Sequence, residues 1–316
     1  MCTAVSYQTQ CHYFGRNLDL DRGYGESVVI TPRNYPFTFR HLPPCPRHYA
    51  LIGMATVVDH YPLYFEATNE KGLSMAGLNF PGNAQYYDIA EGRENVASFE
   101  LIPYLLGRCA NVRQASELLE RINVVNTCFS EGLPASPLHW IISDKSRSIT
   151  LECTAAGMKV FENPFGVLTN NPTFDFHLTN VSNYMGLHEG VAENRISSRL
   201  SLDNYSLGMG ALGLPGDFSS VSRFVKAVFV KEKSVCDGSD RASVNQFFRI
   251  LQAVAMPKGC VLAKNGDYEY TRYSCCCNTD TGVYSYTTYE DMTIRSVDLH
   301  SANLDGSALT RHPIGA

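Results

Sequence analysis

Alternation of apolar and polar positions governs the start of the chain. Residues 3–7 (TAVSY) alternate with a period of two and predict a strand, and residues 11–18 (CHYFGRNL) predict a second. The polar Gln8-Thr9-Gln10 between them suits a three-residue hairpin loop. That loop sets Tyr7 opposite Cys11 and Cys2 opposite Arg16; a loop one residue different changes the partner. Further strands are predicted over 27–31, 49–58, 62–68 and 73–78, with a turn at Asn69-Glu70-Lys71-Gly72. Pro32, Pro36, Pro43, Pro44 and Pro46 predict an irregular surface loop within this run. So many strands before any helix argue against a βαβ chain.

The apolar period then lengthens to that of a helix. Ser98 can cap a helix over 99–109. Asn111 can cap one over 112–122, with Val112, Ala115, Leu118, Leu119 and Ile122 on one face. Strands return at 138–143, 149–154 and 159–162. Helices follow over 174–187, 219–231 and 243–255, then strands over 268–274, 283–288 and 293–299. Two helical pairs covering two antiparallel sheets satisfy this order. No repeat, low-complexity segment or linker divides the chain, so residues 1–316 are expected to form one α+β domain.

Composition narrows the partners more than the fold. A net charge of −5 with no block of like charges argues against nucleic acid and anionic membrane surfaces. No basic region followed by an apolar run opens the chain, and no apolar stretch is long enough to span a bilayer, which predicts a cytoplasmic protein. Eleven irregularly spaced cysteines then read as reduced thiols. Two motifs mislead. Gly208-Met209-Gly210-Ala211-Leu212-Gly213 fits a dinucleotide fingerprint, but no clear strand precedes it and Leu214-Pro215-Gly216-Asp217 follows where a helix should run. Cys275-Cys276-Cys277 on a strand would point to opposite faces, so a structural role is expected. Neither a metal nor a cofactor is expected.

The chemistry is concentrated at the N-terminus. Loss of Met1 would make Cys2 the first residue, with a thiol and a free α-amine on one carbon. The amine can take the thiol proton and return it to a leaving amine, and a nearby Arg lowers the thiol pKa. Arg16 is the candidate for that Arg. Asp19 could hold the amine by a charge-assisted hydrogen bond. On an ideal strand it lies on the opposite face from Arg16, so the role requires the strand to end or bulge near Asn17-Leu18. A cysteine protease with His139 or His177 as base is the rival reading, though spacing singles out neither.

Cys2, Phe14-Gly15-Arg16-Asn17-Leu18-Asp19, Asn69-Glu70-Lys71-Gly72-Leu73 and Gly77-Leu78-Asn79-Phe80-Pro81 together resemble the choloylglycine hydrolases. These are the bile salt hydrolases and penicillin V acylases of the N-terminal-nucleophile class. Leu138-His139-Trp140, Gly166-Val167-Leu168-Thr169-Asn170, Leu214-Pro215-Gly216-Asp217-Phe218 and Ser222-Arg223-Phe224 continue the resemblance in family order. It implies a four-layer αββα sandwich of two antiparallel sheets flanked by helices. It also implies Cys2 as nucleophile with its amine as base, Arg16 beside the thiol and Asp19 orienting the amine. Asn79 (backbone N–H) and Asn170 (side chain) would form the oxyanion hole, and Arg223 would complete the polar cluster. Leu18, Phe65, Phe129 and Leu133 are candidates for an apolar wall against a conjugated bile acid. Asn79 resembles the bile salt hydrolases rather than the acylases, and the Gly208-Met209-Gly210 loop resembles a variant linked to taurine conjugates. A bacterial homotetramer is implied. The alternatives are a penicillin V acylase and, if Met1 stays, a catalytically silent small-molecule binding protein.

Overall fold

The computed structural model describes residues 1–314. The chain runs β1 (Cys2–Gln8), β2 (His12–Leu20), β3 (Ser27–Thr31), β4 (Leu51–Val58), β5 (Tyr61–Asn69), β6 (Ser74–Asn79), β7 (Glu94–Ala97), α1 (Leu101–Arg108) and α2 (Val112–Leu119). It continues through β8 (Ile122–Val125), β9 (Leu138–Ser143), β10 (Ser148–Thr154), β11 (Gly157–Glu162), β12 (Val167–Leu168), α3 (Phe174–Asn180), α4 (Ser220–Lys233) and α5 (Asp240–Gln252). It ends with β13 (Tyr270–Asn278), β14 (Val283–Thr288), β15 (Arg295–Asp298) and β16 (Thr310–Pro313).

Two antiparallel sheets carry the fold. One has six strands in the order β12-β1-β2-β13-β14-β15, the other eight in the order β11-β10-β9-β6-β5-β4-β3-β16. Their inner faces meet where Cys2, Ala4, Phe14 and Leu18 pack with Ile52, Met54, Ala76, Leu78 and Ile141. Phe224 of α4 and Phe247, Ile250 and Leu251 of α5 cover the outer face of the smaller sheet. Leu101 and Leu105 of α1, with Val112 and Leu119 of α2, cover the larger sheet over Leu51, Ala67, Met75 and Trp140. The result is the expected αββα sandwich. Each buried Leu, Ile or Phe contributes about 1.5–3 kcal/mol.

The structure corrects several expectations. The first hairpin turns over Thr9-Gln10-Cys11, so Gln8 pairs with His12 and Cys2 faces Leu18, not Arg16; Arg16 faces Ala4. Tertiary anchors pin that register. His12 donates its N–H to Asp280 Oδ2 (2.9 Å), and its ring bonds Ser6 (2.8 Å) and Thr279 (2.9 Å). Ser98 does not cap the first helix. It starts a short 3-10 turn, where Glu100 Oε2 accepts the Ala97 N–H (3.1 Å) instead. Asn111 does cap α2, accepting the Gln114 N–H at 3.0 Å, but Ile122 opens β8. The helix expected over 174–187 stops at Asn180 and tightens into a 3-10 turn. The last helix starts before residue 243, because Ser239 caps it by accepting the Ala242 N–H (3.3 Å). β13 runs on through Cys275, Cys276 and Cys277, all buried. Residues 208–213 carry a 3-10 turn at Met209–Ala211, with Gly208 left-handed at φ 82°.

Candidate active site

The site sits where β1 begins. Cys2 is buried at 2% exposure and opposes Leu18 on the inner face. Opposed residues share a face, so Ala4 and Arg16 lie on the same side, and Arg16 is the diagonal neighbour of Cys2. Arg16 is fully buried. Its Nη1 donates to Gly77 O (2.6 Å) and Phe65 O (3.1 Å), and its Nε lies 3.8 Å from Glu66 Oε2. Its Nη2 is buried without a partner. Burial works against its charge, but Cys2, Tyr273 and Glu66 favour it and its pKa is raised.

Asp19 lies on the helix-facing side with Asn17. Thr271 Oγ1 donates to its Oδ1 at 2.6 Å, and its Oδ2 is buried without a partner. β2 continues regularly to Leu20, so the break expected before Asp19 is absent. The irregularity falls instead in β13, between Thr271 and Tyr273. Met1 lies along Asp19: its amine donates to Asp19 O (2.6 Å) and its carbonyl accepts the Asp19 N–H (2.9 Å). The Met1 amine also pairs with Glu269. Burial lowers the pKa of that amine; Cys2 and Asp19 oppose the shift, and Arg223 and Arg16 add to it.

Asn170 joins distant elements. Its Oδ1 accepts from Cys2 N (2.9 Å) and Arg223 Nη2 (2.7 Å), while its Nδ2 donates to Asn79 O (2.7 Å). Arg223 also donates through Nη1 to Cys2 O (2.5 Å) and Thr3 Oγ1 (2.6 Å), and through Nε to Phe218 O (3.0 Å). Burial lowers its pKa against the fields of Asp19 and Cys2. The Asn79 peptide groups are directed by register. Phe80 N donates to Pro137 O (2.7 Å), so Asn79 and Leu138 form a non-hydrogen-bonded pair and the Asn79 N–H turns away from β9. Cys2, Asn79, Asn170 and Arg223 are thus joined by hydrogen bonds, with Arg16 the diagonal neighbour of Cys2 and Asp19 beside the residue that precedes Cys2.

Of the wall candidates, Leu18 opposes Cys2 and Phe65 touches Arg16 through its carbonyl. Phe129 and Leu133 close a small hairpin (Phe129 N to Leu133 O, 3.1 Å). That hairpin is seated on Tyr61, Phe99 and Arg40. Cavities of 520 and 330 Å³ share Asp144-Lys145-Ser146-Arg147 and adjoin Lys71, Asp280, Gln8 and His12, at the opposite end of β1 from Cys2.

Neither rival base is arranged to serve Cys2. His139 is fully buried, stacks on Phe80 (centroids 4.2 Å apart), and bonds Glu152 Oε1 and Thr169 O, each at 3.0 Å. It therefore clamps the residues beside Asn79 and Asn170. His177 stacks on Phe224 and reaches Asn170 O at 3.3 Å; burial pushes it down to about 4. Sequence reasoning missed Thr271, Glu152 and Glu66. Glu66 left a signal, as a lone carboxylate inside the strand segment Pro62-Leu63-Tyr64-Phe65-Glu66-Ala67-Thr68.

Comparison with known proteins bears on the family and the fold. The family model for linear amide C-N hydrolases, choloylglycine hydrolase family, matches residues 2–311. A bile salt hydrolase/transferase of Lactiplantibacillus plantarum is 49% identical over 99% of this chain and 97% of its own length. The crystal structure of the C2A variant of conjugated bile acid hydrolase from Clostridium perfringens superposes with a TM-score of 0.93 at 35% identity, over 100% of this chain and 97% of that one. Penicillin V acylase from Agrobacterium tumefaciens shares the fold, with a TM-score of 0.80 at 19% identity over 100% of this chain and 92% of that one. The chain is a member of the choloylglycine hydrolase family of linear amide C-N hydrolases.

Proposed function

We propose that this single-domain enzyme hydrolyses the amide of glycine- or taurine-conjugated bile acids, with Cys2 as nucleophile once Met1 is removed. The observation that carries the reading is the Cys2 cluster itself, in a chain whose relative at 49% identity is a bile salt hydrolase. Loss of Met1 frees the N–H and carbonyl of Asp19, whose Oδ2 is without a partner, and leaves a Cys2 amine whose nitrogen lies 2.9 Å from Asn170 Oδ1. Burial lowers the pKa of the Met1 amine at this end of the chain, with Arg223 and Arg16 adding to the shift and Cys2 and Asp19 opposing it; the Cys2 amine exposed by loss of Met1 is the proposed base.

The amine takes the thiol proton, and the thiolate attacks the amide carbon. The Asn79 N–H and Asn170 Nδ2–H stabilise the oxyanion; one such donor is worth about 10²–10³ in rate. Collapse expels glycine or taurine, which takes the proton from the Cys2 ammonium, and leaves a thioester. Water then hydrolyses the thioester, with the same amine as base. Arg16 stabilises the thiolate and Arg223 fixes Cys2 by its carbonyl. Leu18 and Phe65 supply apolar surface to the steroid.

Kinetics on taurocholate, glycocholate and penicillin V, run side by side, test the reading. A kcat/KM for penicillin V above both conjugates would make the chain an acylase. Homotetramer formation in the cytoplasm is part of the proposal. Met185, Ile196, Tyr205, Leu207 and Leu212 are exposed along one segment, in keeping with self-association, and Leu207 is 90% exposed. Sedimentation velocity tests it; a monomer at micromolar concentration would refute it.

A further inference from the structure

Arg16 has a built counter-charge that the reaction as described does not use. The partner is Glu66, fully buried on β5. Its Oε2 accepts from Tyr273 OH (2.8 Å) and lies 3.8 Å from Arg16 Nε. Its Oε1 accepts from Tyr284 OH (2.6 Å), Met54 N (3.3 Å) and Cys275 Sγ (3.5 Å).

A bulge puts Glu66 there. The β4–β5 register shifts between Met54 and Ala55, so Glu66 pairs with Met54, Tyr64 pairs with Ala55, and Phe65 is the extra residue. Tyr64 and Ala67 consequently face the helices on the outer side. Phe65 packs on the inner core, and Glu66 bonds Tyr273 and Tyr284 of the facing sheet. The β5–β6 ladder pairs only Glu66–Thr68 with Ser74–Ala76. Just past its end, the carbonyls of Phe65 and Gly77 are both taken by Arg16 Nη1. Gly53 permits the approach, since a Cβ there would sit 2.1 Å from Glu66 O.

We propose that Glu66 is a positioning residue: with the bulge at Phe65 it fixes the direction of the Arg16 guanidinium and neutralises part of its charge, and so sets how strongly Arg16 acts on Cys2. This rests on the reading of Cys2 as nucleophile. The groups facing Arg16 and Cys2 are Glu66 from β5, Tyr273 and Cys275 from β13, Tyr284 from β14, Asp19 from β2, Arg223 from α4 and the amine at the head of β1. Burial holds Tyr273, Tyr284 and Cys275 well above their ordinary pKa values, so they face Arg16 as neutral donors. Burial also raises the Glu66 carboxyl, against Arg16 and the hydrogen bonds from Tyr284, Tyr273 and Cys275.

The test compares Glu66→Gln and Glu66→Asp with the parent chain, each checked for fold by thermal melting. Iodoacetamide alkylation of Cys2 and glycocholate kcat/KM are both followed against pH. Removing a buried negative charge lowers the pKa of thiol and amine alike. In Glu66→Gln the acid limb of both profiles should move down by about one unit, with kcat reduced and KM within twofold. Glu66→Asp keeps the charge and shortens the reach; its limb should stay in place while kcat falls at least fivefold. An unmoved limb in Glu66→Gln overturns the proposal. If that variant does not fold, Glu66→Asp decides, and kcat within twofold of the parent overturns it. Failure of the underlying reading is separate: in the parent chain, alkylating Cys2 would then leave turnover intact.

Discussion

Replacing Asn170 by Asp separates its role as a donor from its role as a scaffold. In the parent chain Oδ1 accepts from Cys2 N (2.9 Å) and Arg223 Nη2 (2.7 Å), and Nδ2 donates to Asn79 O (2.7 Å). An Asp in the same rotamer keeps the acceptor and makes the Arg223 bond ion to ion; the parent bond already has a charged donor and is worth roughly 1.5–3 kcal/mol, so the gain is a fraction of that. It also turns an oxygen toward Asn79 O and leaves that carbonyl without its donor, at a cost of about 1–3 kcal/mol. The gain offsets part of that loss, so the melting temperature should fall by only a few degrees; about 1 kcal/mol corresponds to roughly 2–4 °C in a large domain. Catalysis has no such compensation. The lost N–H donor should lower kcat on glycocholate by about 10²–10³, or about 2.7–4 kcal/mol of transition-state stabilisation. Scanning calorimetry and steady-state kinetics on one preparation read both quantities. A kcat within tenfold of the parent at an unchanged melting temperature would refute the donor role. A loss of kcat that tracks a large loss of stability would make Asn170 a scaffold only.

Cys2→Ser should lose turnover to background with an unchanged melt, and intact-mass analysis of active protein should show Met1 absent; full retention of Met1 would sink the amine mechanism. His139→Phe keeps the stack on Phe80 but strips Glu152 and Thr169 O of a partner. It should cost about 3–5 kcal/mol in urea unfolding and lower kcat more than tenfold, and parent-like values would remove the clamp from the account. Stability should fall with acid through two buried histidines. Burial pushes His12 and His177 each down to about 4 from an ordinary 6.5. Both folded-state values are depressed, so the unfolded chain takes up the extra protons. The stability is present above pH 6.5, is lost as pH falls toward 4, and amounts to roughly 3 kcal/mol per residue at most. Urea midpoints across that range measure it, and a flat profile would contradict it.

The layers were legible because period and order carry them. Alternating strands, two helical pairs and no βαβ unit leave few arrangements other than a covered double sheet. The cap at Asn111 is local chemistry and appears where expected. What was not legible was set by contacts distant in sequence. The hairpin turn moved by one residue because His12 is held by Ser6, Thr279 and Asp280. Glu100, and not Ser98, satisfies the N–H at Ala97, because its carboxylate also takes the Arg40 N–H at 2.7 Å. β12 and β16 are short edge strands, recognisable only by their neighbours Ala4-Val5 and Ser27–Ile30.

Two details explain why the site was readable despite a wrong register. Moving the turn from 8–10 to 9–11 shifts every facing partner by two positions, from Arg16 to Leu18 for Cys2. A shift of two preserves the face, whereas a shift of one would have turned Arg16 toward the helices. Arg16 therefore stayed beside Cys2 as a diagonal neighbour. The requirement that β2 break before Asp19 failed for a different reason. It treated the amine as though it projected with a side chain. The amine is a backbone group at the end of β1, in the plane of the sheet, so either face of β2 can serve it. Thr271, set by the irregularity in β13, holds Asp19 at the end of that ladder. Arg16 and Asp19 thus lie on opposite faces of an unbroken β2, Arg16 diagonal to Cys2 and Asp19 beside Met1, and the roles proposed for them ask for no break in the strand.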